Sequence, residues 1–147
     1  MITVEKIEFN THCHATEDCN KVLQAVLNTI PLELHSELVV SKQTLHGYYG
    51  NPIVLINATL NTGSDKFLEY LSSKLSDSDK AVLSVTLDLR YDHRGNKLYL
   101  RLSKQDAYNN RFTLYDGDDV VKIIISFKGG RGLEKIREYL KSKGLIK

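Results

Sequence analysis

The feature that most constrains this chain is a sharp break between two strand-like runs. Residues 32–45 place Leu32, Leu34, Leu38, Val40 and Thr44 at even spacings, with polar residues mostly between them. That is the period of a strand with one buried face. The run Ile53-Val54-Leu55-Ile56-Asn57-Ala58-Thr59-Leu60 is apolar enough to be a central strand. Between them stands His46-Gly47-Tyr48-Tyr49-Gly50-Asn51-Pro52. Glycine adopts backbone conformations that side chains resist, and proline fixes its own φ, so this segment is read as a loop. The two runs are expected to pair antiparallel around it.

The rest of the chain supplies partners for that pair. Residues 2–12 read as a strand, with a register slip near Lys6 that marks a bulge. Thr16-Glu17-Asp18 reads as a helix start with Thr16 as its cap. Cys19, Val22, Leu23, Val26, Leu27 and Ile30 form the buried stripe of that helix, and Pro31 ends it. Gly63-Ser64-Asp65 opens a second helix, with Ser64 or Asp65 capping, and Phe67, Leu68, Leu71 and Leu75 line its apolar side. Ser76-Asp77-Ser78-Asp79 caps a third, short helix through Ala81, Val82 and Val85. Residues 88–103 read as a hairpin about the turn Asp92-His93-Arg94-Gly95-Asn96.

A helical turn over Lys104–Tyr108 is expected to stop at Asn109-Asn110, with one Asn left-handed. Phe112 to Leu114 reads as a short edge strand, Asp116-Gly117-Asp118-Asp119 as a turn, and Val120 to Phe127 as a long buried strand. Gly129-Gly130-Arg131-Gly132 leads into a last amphipathic helix bearing Leu133, Ile136, Tyr139 and Leu140, with Gly144 at its end. The order β-α-β-β-α-α-β-β-β-α, with hairpins, predicts an α+β fold. It comprises a single domain over residues 1–147, a mainly antiparallel mixed sheet, and helices packed mostly on one face.

Composition narrows the class. At 147 residues the chain can bury a core without metal or disulfide staples. No apolar run approaches the roughly 20 residues of a membrane span. The start, Met1-Ile2-Thr3-Val4-Glu5-Lys6, patterns as a strand and not as a signal peptide, so a cytoplasmic location is expected. Cys13 and Cys19 are accordingly expected as reduced thiols. The net charge of +2 hides an asymmetry. Residues 1–73 hold four Lys/Arg against eight Asp/Glu, and residues 74–147 hold sixteen against ten. A basic half can follow a nucleic-acid backbone, although Lys and Arg of the last helix read mainly as a solvated face.

Catalytic and metal chemistry find little support. His12-Cys13-His14 with Cys19 offers zinc donors, but His12 and His14 would point to one side of a strand and Cys13 to the other. The adopted reading is a core or interface cysteine beside two polar strand-end histidines. A Cys-His nucleophile lacks an oxyanion hole and an orienting group. Asp88 and Asp92 read as surface partners of Arg90 or Arg94. Gly129-Gly130-Arg131-Gly132 lies where a phosphate cradle would, but lacks the Walker and dinucleotide spacings. No cofactor is expected.

What remains is an aromatic loop and a basic hairpin. His46, Tyr48 and Tyr49 lie on the loop, and Arg90, Arg94, Lys97, Arg101 and Lys104 lie in and after the hairpin. Single-stranded RNA binders combine cations for phosphates with aromatic faces for bases, each stack contributing about 1–3 kcal/mol. Tyr49 stays open between stacking and packing, while Tyr48, or whichever tyrosine faces inward, is assigned to packing.

Three segments together carry a resemblance. They are His14-Ala15-Thr16-Glu17-Asp18 with Lys21-Val22-Leu23, then Gly47-Tyr48-Tyr49-Gly50-Asn51-Pro52-Ile53, then Leu98-Tyr99-Leu100-Arg101 with Ser103-Lys104-Gln105 and Ala107. In that order, over about residues 5–127, the chain resembles an archaeal family described as a predicted exosome subunit or RNA-binding domain. The resemblance implies a fold like the large-subunit ribosomal protein that holds the five-S RNA, association with RNA, and no known catalysis. Ser103 stands where that family usually has an aspartate, and Asn110 near an expected glycine. Gln105, inside the third segment, joins the candidate RNA contacts.

The chain is therefore expected to be a non-enzymatic RNA-binding protein, accessory to RNA processing or the ribosome. RNA and RNA-processing proteins are its expected partners. The alternative is an interaction or assembly module in which the same surfaces meet a protein or a second copy, as a homodimer. An enzyme using His12, His14 or Cys13 is set aside.

Overall fold

The structure, a computed structural model, describes residues 1–46 and 50–147. Strands β1 (Thr3–Cys13), β2 (Val39–His46), β3 (Pro52–Leu60), β4 (Tyr91–Asp92), β5 (Lys97–Ser103) and β6 (Val120–Lys128) form one sheet. Its order is β2-β3-β1-β6-β5-β4, and every ladder is antiparallel. Helices α1 (Cys19–Asn28), α2 (Ser64–Lys74), α3 (Asp77–Val85), α4 (Leu87–Arg90), α5 (Lys104–Tyr108) and α6 (Leu133–Ser142) connect them. The α+β fold and the expected hairpin between the two runs are both present. The expected bulge lies between Val4 and Lys6, where the β1–β6 register shifts.

Alternation along the strands makes two faces. Ile7 and Phe9, Ala58 and Leu60, Leu98, Leu100 and Leu102, and Val121, Ile123 and Ile125 share one face and are buried. They meet Val26 of α1, Ile30 just after it, Phe67, Leu68 and Leu71 of α2, Leu83, Leu87, Ile136 and Leu140 in one core. Phe9 and Phe67 pack edge to face at 5.3 Å, a pairing of about 0.5–1.5 kcal/mol beyond area burial. All helices contributing to this core lie on that face. Among the described residues no helix lies over the opposite face, and β2 is exposed along its whole length.

Local sequence explains the departures from expectation. Residues 32–37 form a 3₁₀ turn, not the start of a strand. Pro31 is extended at φ −56° and ψ 142°, its carbonyl accepts from Leu34 N–H, and the His35 ring bonds the Leu27 and Ile30 carbonyls, each at 2.9 Å. These bonds wrap the segment under α1, burying Leu34 and leaving Leu32 in solvent. Asp18, not Thr16, caps α1, accepting from Asn20 N–H at 3.0 Å. Gly63 precedes α2 at φ +74°, with no side-chain cap from Ser64 or Asp65.

The first arm of the expected hairpin is mostly helical. Leu89 N–H bonds the Thr86 carbonyl, so the chain continues past α3 into α4, and only Tyr91 and Asp92 pair with β5. Phe112 and Leu114 make isolated bridges to Leu75 and Leu102 instead of a strand. Asn110 is left-handed at φ 62°, and Gly144 at φ 77° ends α6, as the sequence requires.

The reduced-thiol expectation is overturned. Cys13 and Cys19 are joined by a disulfide, their Cα atoms 5.5 Å apart. Cys13 is the last residue of β1 and faces the helices, and α1 begins at Cys19, so a tight loop returns the second sulfur to the first. The bridge packs with Val22 and Ile56 in a small cluster beside the main core.

Candidate nucleic-acid interface

The uncovered sheet face carries the other half of every strand. Strand register arranges it in transverse rows. One row runs Ser41, Asn57, Asn10, Lys122, Arg101 from β2 to β5. Another runs Val39, Thr59, Glu8, Ile124, Tyr99. A third joins Lys6, Ser126, Lys97 and Asp92, and His12 stands opposite Leu55 at the far end. Neighbouring strands lie about 4.8 Å apart, so the Ser41-to-Arg101 row spans roughly 19 Å of polar surface.

Two adjoining clefts open on this face. The first, about 420 Å³, lies at the β5 edge and gathers Arg90, Tyr99, Arg101, Lys122 and Asp116. Arg90 is brought there by α4, its Nε donating to Thr86 Oγ1 at 2.8 Å and a terminal nitrogen lying 3.5 Å from Asp116. Arg101 donates to the Gly117 carbonyl at 2.6 Å, which fixes its guanidinium against the 116–119 turn. Its Nε is buried without a partner among the described residues. Three cations and one carboxylate leave the cleft net positive beside a tyrosine ring.

The second cleft, about 580 Å³, shares Arg101 and Lys122 and extends over Asn10, His12, Leu55 and Asn57. Burial, with His14, Lys104 and Lys122 nearby, holds the His12 pKa below its ordinary value. Its imidazole is therefore neutral at neutral pH, a flat surface and not another cation. Among the described residues no cluster of three or more His, Cys, Asp or Glu is placed to hold a metal ion.

The residues singled out from the sequence do not form one constellation. Tyr48 and Tyr49 lie outside the described residues. His46 is exposed at the end of β2, its Nδ1 3.4 Å from the Gly50 carbonyl, at the lateral edge of the sheet opposite Arg90 and Arg101. Arg94 is exposed on the 93–96 turn, whose shape comes from Asp92 accepting the Arg94 N–H. Lys97 lies on the open face, opposite Ser126. Gln105 is exposed on α5, on the helix side, beside a separate cavity between α1 and α5.

Lys104 is placed against expectation. It is buried, its ammonium bonded to the His12 carbonyl at 2.7 Å, to Glu17 at 3.2 Å and to Asp119 at 3.0 Å. These partners tie the end of β1, the loop before α1 and the start of β6 to the β5–α5 junction. That geometry is a structural post, and leaves the ammonium no open side for a phosphate. The Gly129–Gly132 loop is likewise tied down. Asn96 donates to the Gly130 carbonyl at 2.9 Å, and Gly132 N–H donates to the Tyr91 hydroxyl at 3.0 Å.

Sequence reasoning missed Asn10, His12, Asn57 and Lys122 as members of the face. The signal was present as alternation: each is the polar residue between buried neighbours on a strand. Their convergence depends on which strands become neighbours, and β1–β6 adjacency joins residues more than 100 positions apart.

The chain is similar to known archaeal proteins in sequence and fold. A family model described as RNA binding matches residues 6–127. An RNA-binding protein of Pyrococcus abyssi is 33% identical over 130 residues, spanning 86% of this chain and 84% of that protein. An uncharacterized protein of Methanocaldococcus jannaschii is 32% identical over 127 residues, spanning 85% of each. A crystal structure of an Archaeoglobus fulgidus protein superposes with a TM-score of 0.80 at 26% identity, covering 96% of this chain and 99% of that one. A Sulfolobus solfataricus protein gives 0.76 at 29% identity, covering 94% and 98%.

Proposed function

The chain belongs to the RNA-binding family, and from that premise we propose that it is a non-enzymatic protein that holds RNA on the open face of its sheet. The observation that carries the reading is the convergence of Arg90, Arg101 and Lys122 around Tyr99. Phosphates are drawn by such a cluster, and a tyrosine face beside it accepts a base. His46, Arg94 and Lys97 extend the basic surface toward the ends of the strands. Tyr48 and Tyr49 keep their proposed part as loop contacts. Lys104 ties the strand ends together behind the face instead of touching RNA, and Gln105 lies on the helix side, away from it.

We place the protein in the cytoplasm as a single RNA-binding domain over residues 1–147. Its proposed setting is RNA processing, with exosome or ribosomal components as partners, and a backbone plan like that of the ribosomal five-S-RNA-binding protein. Titration with structured and single-stranded RNA at several salt concentrations tests the core of the proposal. Affinity falling linearly on a log–log plot against salt is expected. A folded sample that binds neither RNA refutes it.

One observation favours a second reading as an assembly module. Strand β2 has an unpaired outer edge and exposes Val39, Val40 and Leu45. Such edges template strand addition. Light scattering at rising concentration separates a homodimer through β2 from a monomer.

A further inference from the structure

The larger cleft has the chemistry of a pocket for one unpaired base. Asn10 and Asn57 are direct register partners on the open face, so their side chains project from adjacent strands into the same space. The neighbouring polar groups are engaged: Thr11 donates to the Val120 carbonyl and Lys104 to the His12 carbonyl. Among the described residues the two carboxamides have no such partner. Each carries two donors and an acceptor, the set that forms paired hydrogen bonds with adenine. His12 and its register partner Leu55 supply a flat and an apolar wall, and the His14 ring lies 6.3 Å from that of His12.

Cations stand at the correct remove from this floor. Lys122 pairs with Asn10 across β1 and β6, and Arg101 pairs with Lys122 across β6 and β5. At about 4.8 Å per strand, Asn57 lies roughly 5 Å from Asn10 on one side, Lys122 roughly 5 Å from it on the other, and Arg101 roughly 10 Å from it beyond Lys122. A nucleotide with its base over Asn10 and Asn57 thus brings its phosphate over Lys122 and Arg101. A base in a duplex is not available for this. The major groove of A-form RNA is too deep and narrow for short side chains on a sheet to enter.

Resting on the RNA reading above, we infer that the cleft over Asn10, His12, Leu55 and Asn57 takes an unpaired adenine from single-stranded RNA. Lys122 and Arg101 hold the adjoining phosphate. Asparagine contacts then set base preference, while the cations set affinity without regard to sequence.

The test is fluorescence-polarization titration of the full chain with oligo-A and oligo-C ribonucleotides of about 10 residues, and with a blunt RNA duplex. The wild-type protein is expected to prefer oligo-A over oligo-C about tenfold and to bind the duplex more weakly than oligo-A. The Asn10→Ala/Asn57→Ala variant is expected to bind both oligomers equally, with the salt slope unchanged. Asn57→Asp, which keeps the size and removes the donors, is expected to lose the preference too, so that a folding defect of the double variant cannot imitate the result. Lys122→Ala is expected to weaken both oligomers alike and lower the salt slope by about one. Equal binding of the two oligomers by wild type, or a preference retained in both asparagine variants, overturns the base pocket. If Lys122→Ala still weakens binding in that case, the open-face reading stands without the pocket. If Lys122→Ala also binds as wild type does, both fall. Tighter binding of the duplex than of oligo-A overturns the pocket as well.

Discussion

Strand β5 contributes to both faces of the sheet, and its two halves have opposite fates. Leu98, Leu100 and Leu102 are fully buried against the helices, while Lys97, Tyr99, Arg101 and Ser103 stand half-exposed on the open face. The same division holds on β1, between Ile7 and Phe9 on one side and Glu8 and Asn10 on the other, and on β6, between Ile123 and Lys122. On the proposed function, stability and recognition fall to alternate residues of the same strands. A substitution one residue, about 3.4 Å, along the strand changes which property it tests.

The largest effect that sharpens this division is on the covered face. Leu100→Ala removes a fully buried side chain and is expected to lower unfolding free energy by about 2–5 kcal/mol in a urea titration. RNA affinity of the remaining folded protein should not change. Next is the disulfide at the boundary. Replacing Cys13 and Cys19 together with Ala opens a short loop and is expected to cost about 2 kcal/mol on the chain-entropy model, again with RNA binding preserved.

On the open face the expectation reverses. Arg101→Ala with Lys122→Ala is expected to lower the slope of log affinity against log salt by about two. Lys122→Ala alone should shift stability by no more than about 0.5 kcal/mol, as for other surface substitutions. Were the double variant to bind RNA normally while Leu100→Ala abolished binding at full folding, the division of labour would be wrong.

The smallest effect concerns pH and His12. Its folded pKa is lowered, chiefly by burial and then by His14, Lys104 and Lys122, with the Asp118 carboxylate also lining its cleft. The unfolded chain therefore takes up the proton first as pH falls through about 6.5. Stability from this group is full above that pH and declines below it, until the folded form also titrates. His12→Gln should flatten the stability profile between about pH 7 and pH 5, as read by thermal melts. Bound RNA phosphate should oppose the decline in the wild-type protein.

The comparison also explains what could be read in advance. Period-two alternation revealed the strands, and Gly144 and Asn110 announced their left-handed turns. The covered face followed, because burial of Leu98, Leu100 and Leu102 needs only one strand's pattern. The open face is a property of neighbours. Asn10 and Lys122 acquire meaning only when β1 and β6 pair, which no local pattern specifies. Lys104 was misassigned for a related reason. A lysine after a basic strand looks like a phosphate contact until Glu17 and Asp119 are brought to it from elsewhere in the chain. Residues 87–90 were misjudged locally, because Leu87, Leu89 and Tyr91 alternate like a strand while the α3 hydrogen-bond pattern runs on through Thr86.

Photo-crosslinking with a single-stranded RNA bearing thiouridine, followed by mass spectrometry of the adducts, addresses the central claim directly. Adducts are expected on peptides carrying residues 6–12, 97–103 and 120–126, with none confined to α2, α3 or α6. Saturating RNA with adducts only on those helices would contradict an open-face RNA surface.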